Sequence, residues 1–202
     1  RIDMNAQSSL LALALMGLPA LASAANYEID PVHSSAQFAV KHMTISTVRG
    51  EFTKLTGTAV IDDKNLAKAS VEATIEAASI STRMDKRDEH LRSPDFFDTA
   101  KFPQIVFKST EVKKAAEGKY KVTGNLTLHG VTKSVVLDVE APATELKDPY
   151  GNVKRGATAT ATVNRKDFGL NWNKTLEAGG VLVGESVQIT LDLQLVRKDA
   201  GK

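Results

Sequence analysis

Tyr120-Lys121-Val122-Thr123-Gly124-Asn125-Leu126-Thr127-Leu128-His129-Gly130 is the run on which the fold class turns. Tyr120, Val122, Gly124, Leu126 and Leu128 share one parity, and Lys121, Thr123, Asn125 and Thr127 share the other. Successive side chains of a strand point to opposite faces, so this period of two predicts a strand with one buried face. His129-Gly130 reads as a tight hairpin turn, with Gly130 supplying the positive φ that such a turn needs. Val135, Leu137 and Val139 then carry the apolar parity along the returning strand.

The same alternation extends outward from this hairpin. Upstream, Ala36, Phe38, Val40 and His42 point one way, against Ser35, Gln37, Ala39 and Lys41. Strands follow from Arg49 to Phe52 and from Thr56 to Ile61, the latter ended by the polar turn Asp62-Asp63-Lys64-Asn65. Val71, Ala73, Ile75 and Ala77 alternate with Glu72, Thr74 and Glu76, and Ile105 and Phe107 with Gln104, Val106 and Lys108. Downstream, Asp148-Pro149-Tyr150-Gly151-Asn152 is a turn. Ala157, Ala159, Ala161 and Val163 face one way in the next strand, as do Val187, Ile189, Leu191, Leu193 and Leu195 in the last. Eight to ten short-looped strands predict an all-β fold, either an antiparallel up-and-down barrel or a sandwich.

One segment departs from the pattern. Thr82-Arg83-Met84-Asp85 has the form of a helix cap with an acid three residues on. Asp88 precedes Arg92 by four, the spacing of a helical ion pair. Ser93-Pro94 predicts the start of a second short helix, with Phe96 and Phe97 on its apolar side. Residues 82–100 are therefore expected to form a helical insertion that packs on, or plugs, the barrel.

The N-terminal apolar run from Ser8 to Leu21, ending in Ala22-Ser23-Ala24, is too short to span a bilayer and reads as a secretory signal peptide. Residues 1–24 are expected to be this signal and 25–202 a single domain. The net charge of +2 gives no basic surface for nucleic acid. The chain has no Cys, which excludes disulfides, a Cys nucleophile and a thioether lipid anchor. No later run reaches the length of a membrane span. A soluble exported protein, without a stable membrane anchor, is expected.

Catalytic signatures are absent: no HExxH, no GxSxG and no P-loop, since Gly179-Gly180-Val181-Leu182-Val183-Gly184 lacks the Lys-Ser/Thr of a phosphate cradle and reads as the loop before the last strand. His33, His42, His90 and His129 show no metal-ligand spacing. Arg87, Asp88, His90 and Arg92 form the most polar cluster, either a solvated helix face or a polar rim that meets a ligand headgroup. Arg165 and Asp167 share strand parity and could pair locally, and the lone Trp172 packs in the core or at its edge. Asn125-Leu126-Thr127 and Asn173-Lys174-Thr175 match the glycosylation sequon by chance. Gly57, Ala59, Ala73, Ala77 and the Ala157/Ala159/Ala161 face leave room inside a barrel. Phe38, Phe52, Phe107 and Leu191 could fill that room, and the residues alone leave both outcomes open.

Several long motifs, in order, resemble the YceI-like family. They are Asp30-Pro31-Val32-His33-Ser34 with Phe38-Ala39-Val40-Lys41-His42, Val48-Arg49-Gly50-Glu51-Phe52, and Arg87-Asp88-Glu89-His90-Leu91-Arg92-Ser93-Pro94-Asp95-Phe96-Phe97-Asp98. Pro103 to Ser109, Gly124 to Lys133 and Arg165 to Leu170 complete the pattern. The resemblance implies an eight-stranded lipocalin-like barrel, exported to the periplasm, that encloses a polyisoprenoid or similar amphipathic lipid such as one with a quinone-type tail. It implies no cofactor and no enzymatic activity, and some members are described as dimers, so a homodimer is among the implied states. It supplies no agreed ligand residues. By strand parity, the tail is expected against Phe38, Val40, Phe52, Ile75, Phe107, Leu126, Leu137, Ala159 and Leu191, with the polar head at the mouth near His42, Arg87 or His90. Two other functions fit the chain: a solidly packed envelope stress protein without ligand, and an enzyme acting on an amphiphile with Asp88 and His90 as acid and base.

Overall fold

The computed structural model describes residues 24–141, 144–177 and 179–198. The signal peptide read at residues 1–24 lies, except for Ala24, outside them. In chain order the elements are β1 (Ala25–Ile29), β2 (Ser35–His42), β3 (Ser46–Phe52), β4 (Leu55–Ile61), β5 (Ser70–Glu76), β6 (Ile80–Ser81), α1 (Asp85–Arg92), β7 (Gln104–Ala116), β8 (Lys119–Leu128), β9 (Val131–Glu140), β10 (Leu146–Lys147), β11 (Val153–Asn164) and β12 (Val183–Lys198).

All strand pairings are antiparallel, and β11 pairing with β12 closes the sheet on itself. The barrel has eight staves because three are bent and interrupted. β1 and β2 pair in succession along β12, through Ile29↔Leu195 and then Ser35↔Asp192. β3 lies on β2 and β4 on β1, so they form the next stave; β5 on β4 and β6 on β3 form the third. β7, β8, β9, β11 and β12 are the other five, and the two-residue β10 merely extends the edge of β11. Asp30 holds the first interruption in place: its carboxylate accepts from the Val32 amide at 2.9 Å and from Gln194 Nε2 at 2.8 Å.

The β8–β9 hairpin forms as its sequence predicts. His129 and Gly130 take φ of 53° and 74°, the paired positive values of a type I′ turn. Gly124 has a different role. A Cβ there would stand 2.4 Å from the Phe107 ring, so the missing side chain is what lets that ring lie against the wall. β1 was not anticipated: it is only five residues long, with Tyr27 and Ile29 as its buried positions, and Pro31 follows soon after its end.

The helical insertion is shorter than expected, and three of its contacts differ. Met84, not Thr82, occupies the N-cap position, without a side-chain cap. Thr82 instead donates both its amide, at 2.9 Å, and its hydroxyl to the buried Asp88 carboxylate. Asp88 is therefore unavailable to Arg92, whose Nε and Nη2 donate to the carbonyls of Ala78 and Ile80 at 2.8 and 2.9 Å. A buried carboxylate is better satisfied by converging donors than by one exposed cation, which explains the exchange of partners. Ser93-Pro94 opens hydrogen-bonded turns rather than a second helix, with the Phe96 and Asp98 amides both donating to the Ser93 carbonyl at 3.0 Å.

The insertion closes one end of the barrel, called here the helix end. Phe96, Phe168, Leu170, Ala77, Ile105 and Leu128 form a buried cluster there, with Leu91, Phe97 and Trp172 packed against it. Around the other end, the far end, lie the β4–β5 loop, the β7–β8 turn and the start of β11. A second core cluster, built on Tyr27, Ile29, Leu55, Ala59 and Leu195, lies on the β1–β4–β12 side.

Candidate functional site

The inward parity of the staves encloses a cavity of about 310 Å³. Phe38, Phe52 and Phe107 project into it but do not fill it. Phe38 and Phe52 pack at 5.8 Å between ring centroids, and Phe52 meets Phe97 edge-on at 5.6 Å. Every one of Phe38, Val40, Phe52, Ile75, Phe107, Leu126, Leu137, Ala159 and Leu191 lines this space. It extends from Leu91, Phe96, Phe97 and Leu170 at the helix end to Leu66, Tyr120 and Ala141 at the far end. Such a wall offers almost no hydrogen bonds, so it suits a ligand's hydrocarbon and rewards its burial by about 0.8 kcal/mol per methylene.

His42, Arg87 and His90 are not part of that wall. His42 ends β2, half-buried and opposite Val183. Arg87 donates from Nε to the Thr82 hydroxyl at 2.7 Å and from Nη2 to the Thr82 carbonyl at 2.9 Å, which fastens α1 to the end of β6. His90 Nε2 lies 2.7 Å from Asp95, and its ring meets Phe96 and Trp172 edge-on at 5.0 and 4.8 Å. All three belong to the helix end. Asp88 and His90 serve different partners, so the geometry does not assemble them into an acid–base pair. Among the described residues no group of three or more His, Asp or Glu is placed to hold a metal ion.

Charged side chains do line the cavity, at both ends. At the far end Arg155, 8% exposed, grips Asp63 with Nη1 and Nη2 at 2.9 and 2.5 Å. Asp63 belongs to the β4–β5 loop, and β1 and β12 lie between that loop's strands and β11, so the pair bridges the barrel mouth. Arg197 Nη1 reaches Glu145 at 3.2 Å, the Tyr27 hydroxyl donates to Glu145, and the Arg155 guanidinium lies 5.5 Å over the Tyr27 ring. Burial opposes the charge on Arg155, but Asp63, Tyr27 and Glu145 outweigh it and raise its pKa. Burial, then the bond to Glu145, pushes the Tyr27 phenol up to about 12.

At the helix end Arg165 is 4% exposed. It does not pair with Asp167; its donors go to main-chain carbonyls of the Leu170–Gly184 segment. Asn173 holds the same segment, accepting from the Val183 amide at 3.0 Å and donating to the Val183 carbonyl at 2.7 Å. Neither Arg155 nor Arg165 was anticipated in the wall. For Arg155 the signal was available, since it shares the parity of Ala157, Ala159, Ala161 and Val163 on β11; Arg165 lies just past the strand, in the 3-10 turn Arg165–Phe168, where alternation no longer decides direction.

Comparison with known proteins gives a consistent assignment. A family described as YceI-like domain matches residues 27–195. A UPF0312 protein of Photorhabdus laumondii is 44% identical over 161 residues, covering 79% of this chain and 83% of its own length. One of Yersinia enterocolitica is 40% identical over 186 residues, covering 91% and 93%. Among solved structures, the YceI protein of Campylobacter jejuni superposes with a TM-score of 0.66 at 29% identity, over 79% of this chain and 90% of its own. A polyisoprenoid binding domain from Saccharophagus degradans shares the fold, with a TM-score of 0.62 at 18% identity, over 85% and 98%.

Proposed function

The chain belongs to the YceI-like domain family, and from that premise we propose that it is a non-catalytic binding protein for a polyisoprenoid or similar long amphipathic lipid, carried in the barrel interior. The observation that carries this reading is the cavity: about 310 Å³ of apolar space running between the two ends of the barrel. That volume falls in the range of about 300–1,000 Å³ usual for small-molecule sites. The solved Saccharophagus degradans relative, described as a polyisoprenoid binding domain, supports the same class of ligand. The tail lies against the nine wall residues from Phe38 to Leu191. Residues 1–24 direct export, and the protein works in the periplasm.

Organic extraction and mass spectrometry of the protein purified without detergent tests the proposal. One isoprenoid or other long chain per protein is the expected result; an empty extract, together with no uptake of added isoprenoids, would sink it in favour of a ligand-free barrel. Ala159→Phe is the matching variant. Ala159 is 3% exposed and sits between Val139 and Leu191 on neighbouring staves, so an aromatic ring there enters the cavity. Lipid uptake should fall at least tenfold while overpacking costs about 1–3 kcal/mol and the far-UV spectrum is unchanged.

A further inference from the structure

The cavity has an arginine at each end, and carboxylates make direct contact with only one of them. At the far end Asp63 and Glu145 flank Arg155, so its charge is met by carboxylates in direct contact. At the helix end Arg165 Nε donates to the Gly184 carbonyl at 2.8 Å. Nη1 donates to the carbonyls of Leu170 and, at 2.9 Å, Trp172, and Nη2 to that of Val183 at 3.3 Å. Four of the five N–H groups of the guanidinium are thus spent, all on uncharged acceptors. The neighbouring carboxylate, Glu185, favours the Arg165 charge without touching it and is itself bonded to Lys166 Nζ at 2.6 Å. Burial pulls the Arg165 pKa down, the mark of a cation whose surroundings do not fully replace water. A desolvated cation in an apolar wall gains most from an oxygen that carries charge or a strong dipole.

We propose that the barrel binds its amphiphile in one orientation, with an oxygen-bearing head, acidic in preference to neutral, against Arg165 at the helix end and the tail running toward Leu66 and Arg155. This rests on the reading of the cavity as an amphiphile site. It places the head inside the barrel, beneath the helix-end residues His42, Arg87 and His90 rather than among them.

Trp172 makes the orientation measurable. It is the only tryptophan, and its own carbonyl accepts from Arg165 at 2.9 Å. Stearic acid carrying a nitroxide beside its carboxylate, and the isomer carrying it beside its methyl terminus, are titrated separately into the wild-type protein. The carboxylate-side label should quench Trp172 severalfold more at saturation. Equal quenching, or stronger quenching by the methyl-side label, would overturn the orientation while leaving the binding reading intact. No saturable quenching by either would remove that reading and this inference with it. In competition, stearic acid should bind about tenfold more tightly than stearyl alcohol, the size of one charge-assisted hydrogen bond. Arg165→Gln should abolish that preference and Arg165→Lys should keep most of it. Because Arg165 also ties the Leu170–Gly184 segment, the label comparison in the wild-type protein decides the matter even if the Gln variant folds poorly.

Discussion

The two ends of the barrel close one cavity by opposite means. The helix end is sealed by side chains of Phe96, Phe97, Phe168, Leu170 and Trp172, supplied by the insertion and by the segment after β11. The far end is bridged by charge, with Arg155, Asp63, Glu145 and Arg197 linked across the mouth. Apolar packing is non-directional and is not screened by salt, whereas ion pairs near water are weakened by screening and depend on both partners being present. The first end is therefore a floor, and the second a bridge that screening by salt should weaken.

The strongest way to break this contrast is at the floor. Phe168 is 2% exposed, and Phe168→Ala should cost about 3–5 kcal/mol in chemical denaturation, with little dependence on salt. A loss below about 1 kcal/mol would mean that the aromatic cluster does not hold the helix end. At the far end the largest effect is alkaline. Tyr27, ordinarily ionising near 10, is pushed up to about 12 in the folded protein by burial and by Glu145. A raised pKa means that the native state favours the neutral phenol. Its contribution, on the order of 2 kcal/mol, is complete below pH 10 and is lost as pH rises toward 12. Melting temperatures across that interval should fall for the wild type and be flatter for Tyr27→Phe; parallel curves would show that the phenol is not coupled to folding.

Much of the wall was readable from alternation alone. A period of two places Phe38, Ile75, Phe107, Leu126, Ala159 and Leu191 on inward faces whatever the register, because parity survives errors in strand boundaries. The interruptions were not readable. Asp30 to Ser34 splits one stave into β1 and β2, and nothing in its composition says that both halves share β12 as a neighbour. Asp88 was assigned to Arg92 by helical spacing, but a tertiary partner, the end of β6 at Thr82, was stronger. Arg155 shares the inward parity of β11 and Arg165 follows its end, yet charge argues against an interior position until the partners contributed by distant segments are known.

The smallest of these effects concerns the far mouth. Asp63 is 57% exposed at its side chain, so removing its partner strands a carboxylate that water can still reach. Arg155→Met should cost about 1–2 kcal/mol, less than the about 3–5 of a fully buried pair. In about 1 M salt the wild type should lose part of the same amount and the variant little. A variant as salt-sensitive as the wild type would move the screening to other pairs.

The pairing of β1 with β12, Asn26↔Lys198 to Ile29↔Leu195, joins the first described strand to the last. During synthesis, β1 and β2 lack their shared neighbour until β12 has been made. The barrel thus has a high contact order, and its closure carries the loop-entropy cost of joining strands from opposite ends of the described residues. Until that last pairing forms, β1 and β2 lack one neighbour, so each presents an open edge that the finished cylinder does not have.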